Sequence, residues 1–232
     1  MWALPGFLGL PADWKIVECE NLAPFDWQKL PLNSLPDWGR AFNDWIYREK
    51  EELNLLLGYS LGGRLALHAL IDQPQLWSGA VIVSAHSGFS DERERHLRKE
   101  RDFEWARRFE SDDWNCLMKD WNSQDVFSQD VFSFKRNEWD YQRDVLAQAL
   151  RGGSIGGQKD LRQQIAALSF PILWITGRRD HRYCELAQSL TFSHSLSRWI
   201  SVQGAGHRIP WEKPHCFSQI ISRFLHQECH LG

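Results

Sequence analysis

Ser60 lies in Gly58-Tyr59-Ser60-Leu61-Gly62, followed by Gly63, a pattern that places a hydroxyl on a tight turn between small neighbours. A serine hydroxyl is a poor nucleophile or proton acceptor until a base takes its proton. The base in turn needs a carboxylate to orient it. Both partners follow downstream, in the order Ser, Asp, His that suits a serine on a strand–turn–helix elbow. Asp180 stands in Gly177-Arg178-Arg179-Asp180, and His207 in Gly204-Ala205-Gly206-His207. His86 precedes Asp180 in the chain. His181 is Asp180's own neighbour and cannot supply a base from a separate strand end. A developing oxyanion or enolate also needs donors. The backbone N–H of Leu61, directly after the serine, is one candidate. The N–H of Phe7, in Pro5-Gly6-Phe7-Leu8-Gly9, is the other.

These residues act together only if strands deliver them to one edge of a sheet. Short apolar runs at 2–4, 15–19, 53–57, 79–84, 172–176 and 198–202 read as strands. Helical patterns at 36–51, 62–72, 184–193 and 214–227 alternate with them, which predicts a parallel sheet with crossover helices. The strand 53–57 and the helix-forming run 64–70 flank the serine motif as an elbow requires, and the helix dipole there favours negative charge. From 90 to about 165 the strand pattern lapses. Residues 91–109 are charged and helical, and 114–121 and 139–150 are amphipathic. The expected organisation is a core of 1–89 and 166–232 with a helical cap, 90–165, over the carboxyl edge of the sheet. The run from Gly152 to Gly157 lacks Gly-Lys-Ser and follows a helix, so it reads as a flexible cap connection rather than a phosphate loop. The Arg- and Glu-rich run 92–108 reads as a solvated helix face with one or two arginines turned inward. Most of the thirteen tryptophans are expected to fill cores and a few to line a pocket.

Composition narrows the partners. A net charge of -3 offers no basic surface for nucleic acid or an anionic membrane. Five cysteines, at 19, 116, 184, 216 and 229, without a CxxC spacing argue against a disulfide framework or structural zinc and for a reducing compartment. The first residues lack the basic region of a signal peptide, and no apolar run is long enough to span a bilayer, so a cytoplasmic location is expected. No metal-ligand spacing occurs, and proton or acyl transfer by a Ser-His-Asp triad needs no cofactor. Oligomeric state leaves no signature in the sequence.

The motifs together resemble the 2-succinyl-6-hydroxy-2,4-cyclohexadiene-1-carboxylate synthase family, the α/β-hydrolase-fold lyases of menaquinone and phylloquinone biosynthesis. Leu4-Pro5-Gly6-Phe7-Leu8-Gly9 with Asp13-Trp14 is similar to the family's His-Gly-Phe-Leu-Gly loop. The elbow is similar from Gly58 through Arg64, including Tyr59 and Arg64. Ser87-Gly88-Phe89 and the helix through Arg98 resemble the start of the family's cap, and Ala149-Leu150-Arg151 its exit. Gly177-Arg178-Arg179-Asp180-His181-Arg182-Tyr183 looks like its Gly-x-x-Asp-x-Lys-Phe stretch. The resemblance implies a mostly parallel sheet flanked by helices, with an inserted helical cap. It implies a small anionic cyclic substrate from which the triad removes a proton and pyruvate departs. Carried over residue by residue, it assigns substrate contacts to Tyr59, Arg64, Arg98, Trp121 and Arg151. Two departures stand out. Pro5 replaces the family's histidine. The usual leading strands and the Asp-Leu-Pro-Gly-His-Gly turn are missing, with residues 20–36 in the turn's place. A serine hydrolase of small esters or thioesters remains the alternative reading of the same triad, and a non-catalytic binding protein a third.

Overall fold

The computed structural model describes residues 1–19, 21–49 and 54–228. Among these residues six strands pair in parallel throughout: β1 (Trp2–Leu4), β2 (Ala23–Pro24), β3 (Leu55–Tyr59), β4 (Gly79–Val83), β5 (Ile172–Gly177) and β6 (Arg198–Val202). Their spatial order is β2-β1-β3-β4-β5-β6. β3, β4 and β5 are buried along their whole length, which explains their continuous apolar sequences: both faces of a parallel sheet are covered. Helices α1 (Leu35–Glu49) and α2 (Leu61–Asp72) cover one face. The other face is filled by Trp14, Trp211 and the C-terminal helix through Phe217, Ile221 and Phe224.

Between β4 and β5 the chain forms α3 (Glu92–Ser111), α4 (Trp114–Asn122), α5 (Arg143–Gly152) and α6 (Arg162–Ala166). Asp91 and Asp113 cap the first two by accepting the N–H of Glu94 and Cys116. α3, α4 and α5 build their own apolar cluster around Phe109, Trp114, Leu117 and Leu146, and Leu8 from the core enters it. After β5 come α7 (His181–Gln188), then, beyond β6, α8 (Ile209–Glu212) and α9 (Pro214–Glu228).

Several expectations need correction. Residues 15–19 are not a strand: Pro11–Ile16 is a 3-10 turn that buries Trp14, with Asp13 accepting the Leu10 N–H at 2.8 Å. Proline at the first helical position and the acidic residue two positions on favour that turn. The second strand is instead Ala23–Pro24, two residues whose neighbours carry no strand pattern. The helix placed at 184–193 begins at His181, because the Asp180 carboxylate caps it through the Tyr183 N–H. The run from Gly152 to Gly157 is not a loose connection. Ser154, Ile155 and Gly156 are buried, and a Cβ on Gly156 would lie 2.4 Å from the Arg95 carbonyl oxygen on α3. Residues Glu20, Glu51, Leu53 and Cys229, which the sequence reading includes, lie outside the described residues.

The elbow is tight. Ser60 adopts φ 53° and ψ −110°, a positive-φ conformation that costs a non-glycine residue roughly 1–3 kcal/mol. Gly62 lets α2 close on β1: a Cβ there would lie 2.2 Å from the Leu4 carbonyl oxygen and 2.5 Å from that of Pro5. Because both obstacles are backbone, Gly62→Ala is expected to destabilise the fold by roughly 1–3 kcal/mol or more, read as a lowered midpoint in chemical denaturation.

Candidate active site

Ser60, Asp180 and His207 meet at the carboxyl ends of β3, β5 and β6. His207 Nε2 stands 3.2 Å from Ser60 Oγ, and its Nδ1 stands 2.7 Å from Asp180 Oδ2. The His207 ring is almost fully buried, and Tyr183 packs edge-on against it with ring centres 4.7 Å apart. Its backbone is held as firmly as its ring. The His207 carbonyl accepts from Ser84 Oγ at 2.9 Å, and its N–H donates to Asp130 Oδ1 at 2.5 Å. The arrangement can draw a proton from Ser60 and hand it on.

Phe7 and Leu61 join Ser60 on the wall of a cavity of about 350 Å³. Among the described residues no acceptor takes the N–H of either, so both are available as donors to a bound oxyanion. The loop is shaped for this: Leu8 has φ 60°, and Gly6 lets the Tyr59 ring and Ser60 approach, with a Cβ there 2.9 Å from the ring.

Arg64 and Arg98 line the same cavity from different parts of the chain, α2 and α3. Arg64 donates Nη1 to the Gly153 carbonyl, and Arg98 Nε donates to Asp102 at 2.8 Å. Ser154 Oγ donates to the other Asp102 oxygen at 2.7 Å. Desolvation, reinforced by the Arg98 charge, holds the Arg64 guanidinium down at about 10. The negative charge of a bound carboxylate would offset both effects.

Trp121 faces the cavity, and its ring packs at a tilt against that of Phe7, with centres 4.8 Å apart. Tyr59 does not line this cavity. Its ring packs between His207 and Trp211 and borders a separate pocket of about 60 Å³ behind Ser60. Burial raises its phenol well above the ordinary value. Arg151 lies outside the cavity altogether. Its guanidinium projects from the outer side of α5 and pairs with Glu110 at 2.7 Å, so the assigned substrate contact is replaced by a surface ion pair.

The sequence reading missed Arg101 and Arg182, which also line the cavity, and Asp130. Arg101 had a readable signal: it lies three residues after Arg98 on one helix and so shares its face. Arg182 had one too: it stands in the first turn of α7, at the basic position of the Gly-x-x-Asp-x-Lys-Phe stretch. Asp130 had none, because it lies in a stretch without periodic pattern. Among the described residues no cluster of His, Cys, Asp or Glu could hold a metal ion, and no helix is long and apolar enough to cross a membrane.

His86, at the end of β4, is buried beside the arginines. Its Nδ1 accepts the Gly88 N–H at 2.9 Å, and its backbone carbonyl accepts from Gln158. Desolvation, aided by the charges of Arg182, Arg64 and Arg98, pushes its imidazole down to about 3 from an ordinary 6.5.

The pattern of the alpha/beta hydrolase family matches residues 2–215. The 2-succinyl-6-hydroxy-2,4-cyclohexadiene-1-carboxylate synthase of Klebsiella pneumoniae is 30% identical over 72% of this chain and 68% of its own length. The enzyme of that name from Serratia proteamaculans is 29% identical over 96% of this chain and 91% of its own. That from Salmonella arizonae is 32% identical over 68% of this chain, a match spanning 63% of its own length. Among solved structures, MenH from S. aureus superposes with a TM-score of 0.86 at 20% identity, covering 97% of this chain and 92% of that one. A thermophilic esterase from Thermogutta terrifontis gives 0.73 at 18% identity, covering 97% and 89%. At these identities the superpositions show a shared fold.

The depressed His86 value has a sign that can be measured. The folded state binds fewer protons at this site than the unfolded chain, so its contribution is fully present above pH 6.5 and is lost as pH falls toward 3. The Tm should drop between pH 7 and pH 5, and His86→Asn should flatten that slope in thermal scans.

Proposed function

This chain belongs to the alpha/beta hydrolase family and, within it, to the 2-succinyl-6-hydroxy-2,4-cyclohexadiene-1-carboxylate synthases, and on that premise we propose that it eliminates pyruvate from 2-succinyl-5-enolpyruvyl-6-hydroxy-3-cyclohexene-1-carboxylate. The observation that carries this reading is the convergence of Arg64 and Arg98, from α2 and α3, on one cavity above Ser60. That substrate bears three carboxylates, and guanidinium groups in a desolvated site are their natural partners. Arg101 and Arg182 add positive charge to the same wall.

The bond positions in substrate and product set the chemistry. The ring proton lost is on the carbon bearing the succinyl group, and the bond broken is the C–O bond to the enolpyruvyl group. Ser60, its own proton drawn toward His207 Nε2, removes that ring proton. Asp180 stabilises the imidazolium that results. Negative charge spreads onto the succinyl ketone oxygen, which accepts from the N–H groups of Phe7 and Leu61. The electron pair then moves through the ring double bond and expels the enolate of pyruvate, which takes up the proton held by His207 and leaves, restoring the neutral imidazole. No acyl-enzyme forms.

The same triad could acylate, so the test sets the two chemistries side by side. Purified protein is assayed on the cyclohexene substrate and on p-nitrophenyl esters. Ser60→Ala is expected to lower kcat on the former by about 10³-fold or more. Arg64→Ala and Arg98→Ala should each lower kcat/KM by about ten- to a hundredfold, and lysine should not fully restore it. Arg151→Ala, which removes an exposed ion pair, should stay within about twofold. Unchanged elimination in both Arg64→Ala and Arg98→Ala, or ester hydrolysis faster than elimination, would overturn the lyase reading in favour of a hydrolase.

A further inference from the structure

After α4 a strap, residues 125–136, runs back from the cap across the loop carrying Gly206, His207 and Arg208. Its grip on that loop is dense. Asp130 Oδ1 accepts the His207 N–H at 2.5 Å. Gly206 makes room for it, since a Cβ there would lie 2.2 Å from the same oxygen. Arg208 Nη1 donates to the Phe132 carbonyl at 2.9 Å, and Nη2 donates to Asn122 Oδ1 at the end of α4 at 2.6 Å. The Arg208 guanidinium also lies 3.9 Å from the centre of the Phe127 ring, and its Nε is 3.6 Å from Asp130 Oδ2. Val131 N–H donates to Glu212 Oε1 at 3.0 Å.

The Asp130 side chain is 2% exposed and does not line the cavity, so it is set to touch the histidine rather than a ligand. Keeping a carboxylate there is costly: burial pushes it up to about 6, against the pull of His207 and Arg208. A group held at such a cost on the backbone of the base calls for a role beyond cap packing.

Resting on the reading of His207 as the base for Ser60, we infer that Asp130 is a positioning residue that holds the His207 backbone from the cap side and keeps the imidazole within reach of Ser60 while the strap is seated. His207 has three anchors. Asp180 on the ring and Ser84 on the carbonyl belong to the core, and Asp130 on the N–H belongs to the cap. The contact they serve, 3.2 Å to Ser60 Oγ, is longer than any of the three and is the first to lapse when the backbone drifts. The base is therefore in register when the cap is in place, and the cap need not contribute a reacting group to govern the reaction.

The test compares Asp130→Ala, Asp130→Asn and Gly206→Ala with the intact protein. Asparagine keeps an oxygen for the His207 N–H, while alanine at 206 dislodges the carboxylate without altering it. Asp130→Ala and Gly206→Ala are expected to lower kcat by about ten- to a hundredfold with KM within about twofold, as for a misplaced catalytic group. The double variant should lose no more than the worse single one, because both remove one contact. Asp130→Asn should retain kcat within about threefold. A second readout needs no substrate: the low-field proton resonance of the His207 ring N–H held by Asp180. It should broaden or vanish in Asp130→Ala and Gly206→Ala and persist in Asp130→Asn. This arm stands even when the cyclohexene substrate proves wrong, so the two readings fail separately. Should Asp130→Ala not fold, the other two variants decide. An intact resonance or unchanged kcat in Gly206→Ala, a loss confined to KM, or asparagine as damaging as alanine would overturn the inference.

Discussion

At Gly62 the first turn of α2 lies so close to the end of β1 that even a methyl group has no room beside the Leu4 carbonyl. This approach brings the loop after β1 against the elbow, so that Phe7 and Leu61 face the same cavity as Ser60. Other contacts depend on it. Gly58 and Gly63 allow the turn to fold on itself and pack against Ala85, and Ser60 accepts a strained backbone so that its hydroxyl stands clear of the sheet. The strain is offset by the buried strands on either side, whose apolar side chains leave the turn no other path.

Strand order explains why the site forms where it does. The chain lays down β1, moves outward to β2, then crosses back to place β3 on the opposite side of β1. Connections from β1 and β3 therefore leave in opposite directions and open a crevice at their carboxyl ends, the place where open parallel sheets bind ligands. The loop of Phe7 and the elbow of Ser60 are its two lips. β5 and β6 then add Asp180 and His207 from one side.

The cavity above this crevice is charged without being balanced. Arg98 has Asp102, and Arg179 has Glu212. Arg64 has only a carbonyl from the buried glycine turn, where burial and the neighbouring arginine work against its charge. Such a wall is more stable with an anion in front of it than without one. The apolar surfaces of Phe7 and Trp121 border the same cavity.

The sequence by itself determined what local rules can determine. The Gly-x-Ser-x-Gly turn and the apolar runs of the central strands each announce themselves within a few residues, because a tight turn needs glycine and a doubly covered strand needs apolar side chains on both faces. The Ser, Asp, His order is read from where each residue follows such a strand. Tertiary structure decided the directions of long side chains and the fate of weakly patterned segments. Residues 15–19 and Ala23–Pro24 exchange roles because burial of Trp14 adds to the local preference of Pro11 and Asp13 for a turn. Arg98 and Arg151 look alike in sequence. One turns inward because Asp102 and Ser154 hold its side of α3, and the other turns outward because Glu110 meets it there. Asp130, in a stretch without periodic pattern, reaches His207, 77 residues further along the chain, only because the strap folds against that loop. Contacts between such distant residues are fixed by packing and charge in three dimensions, and no spacing along the chain encodes them.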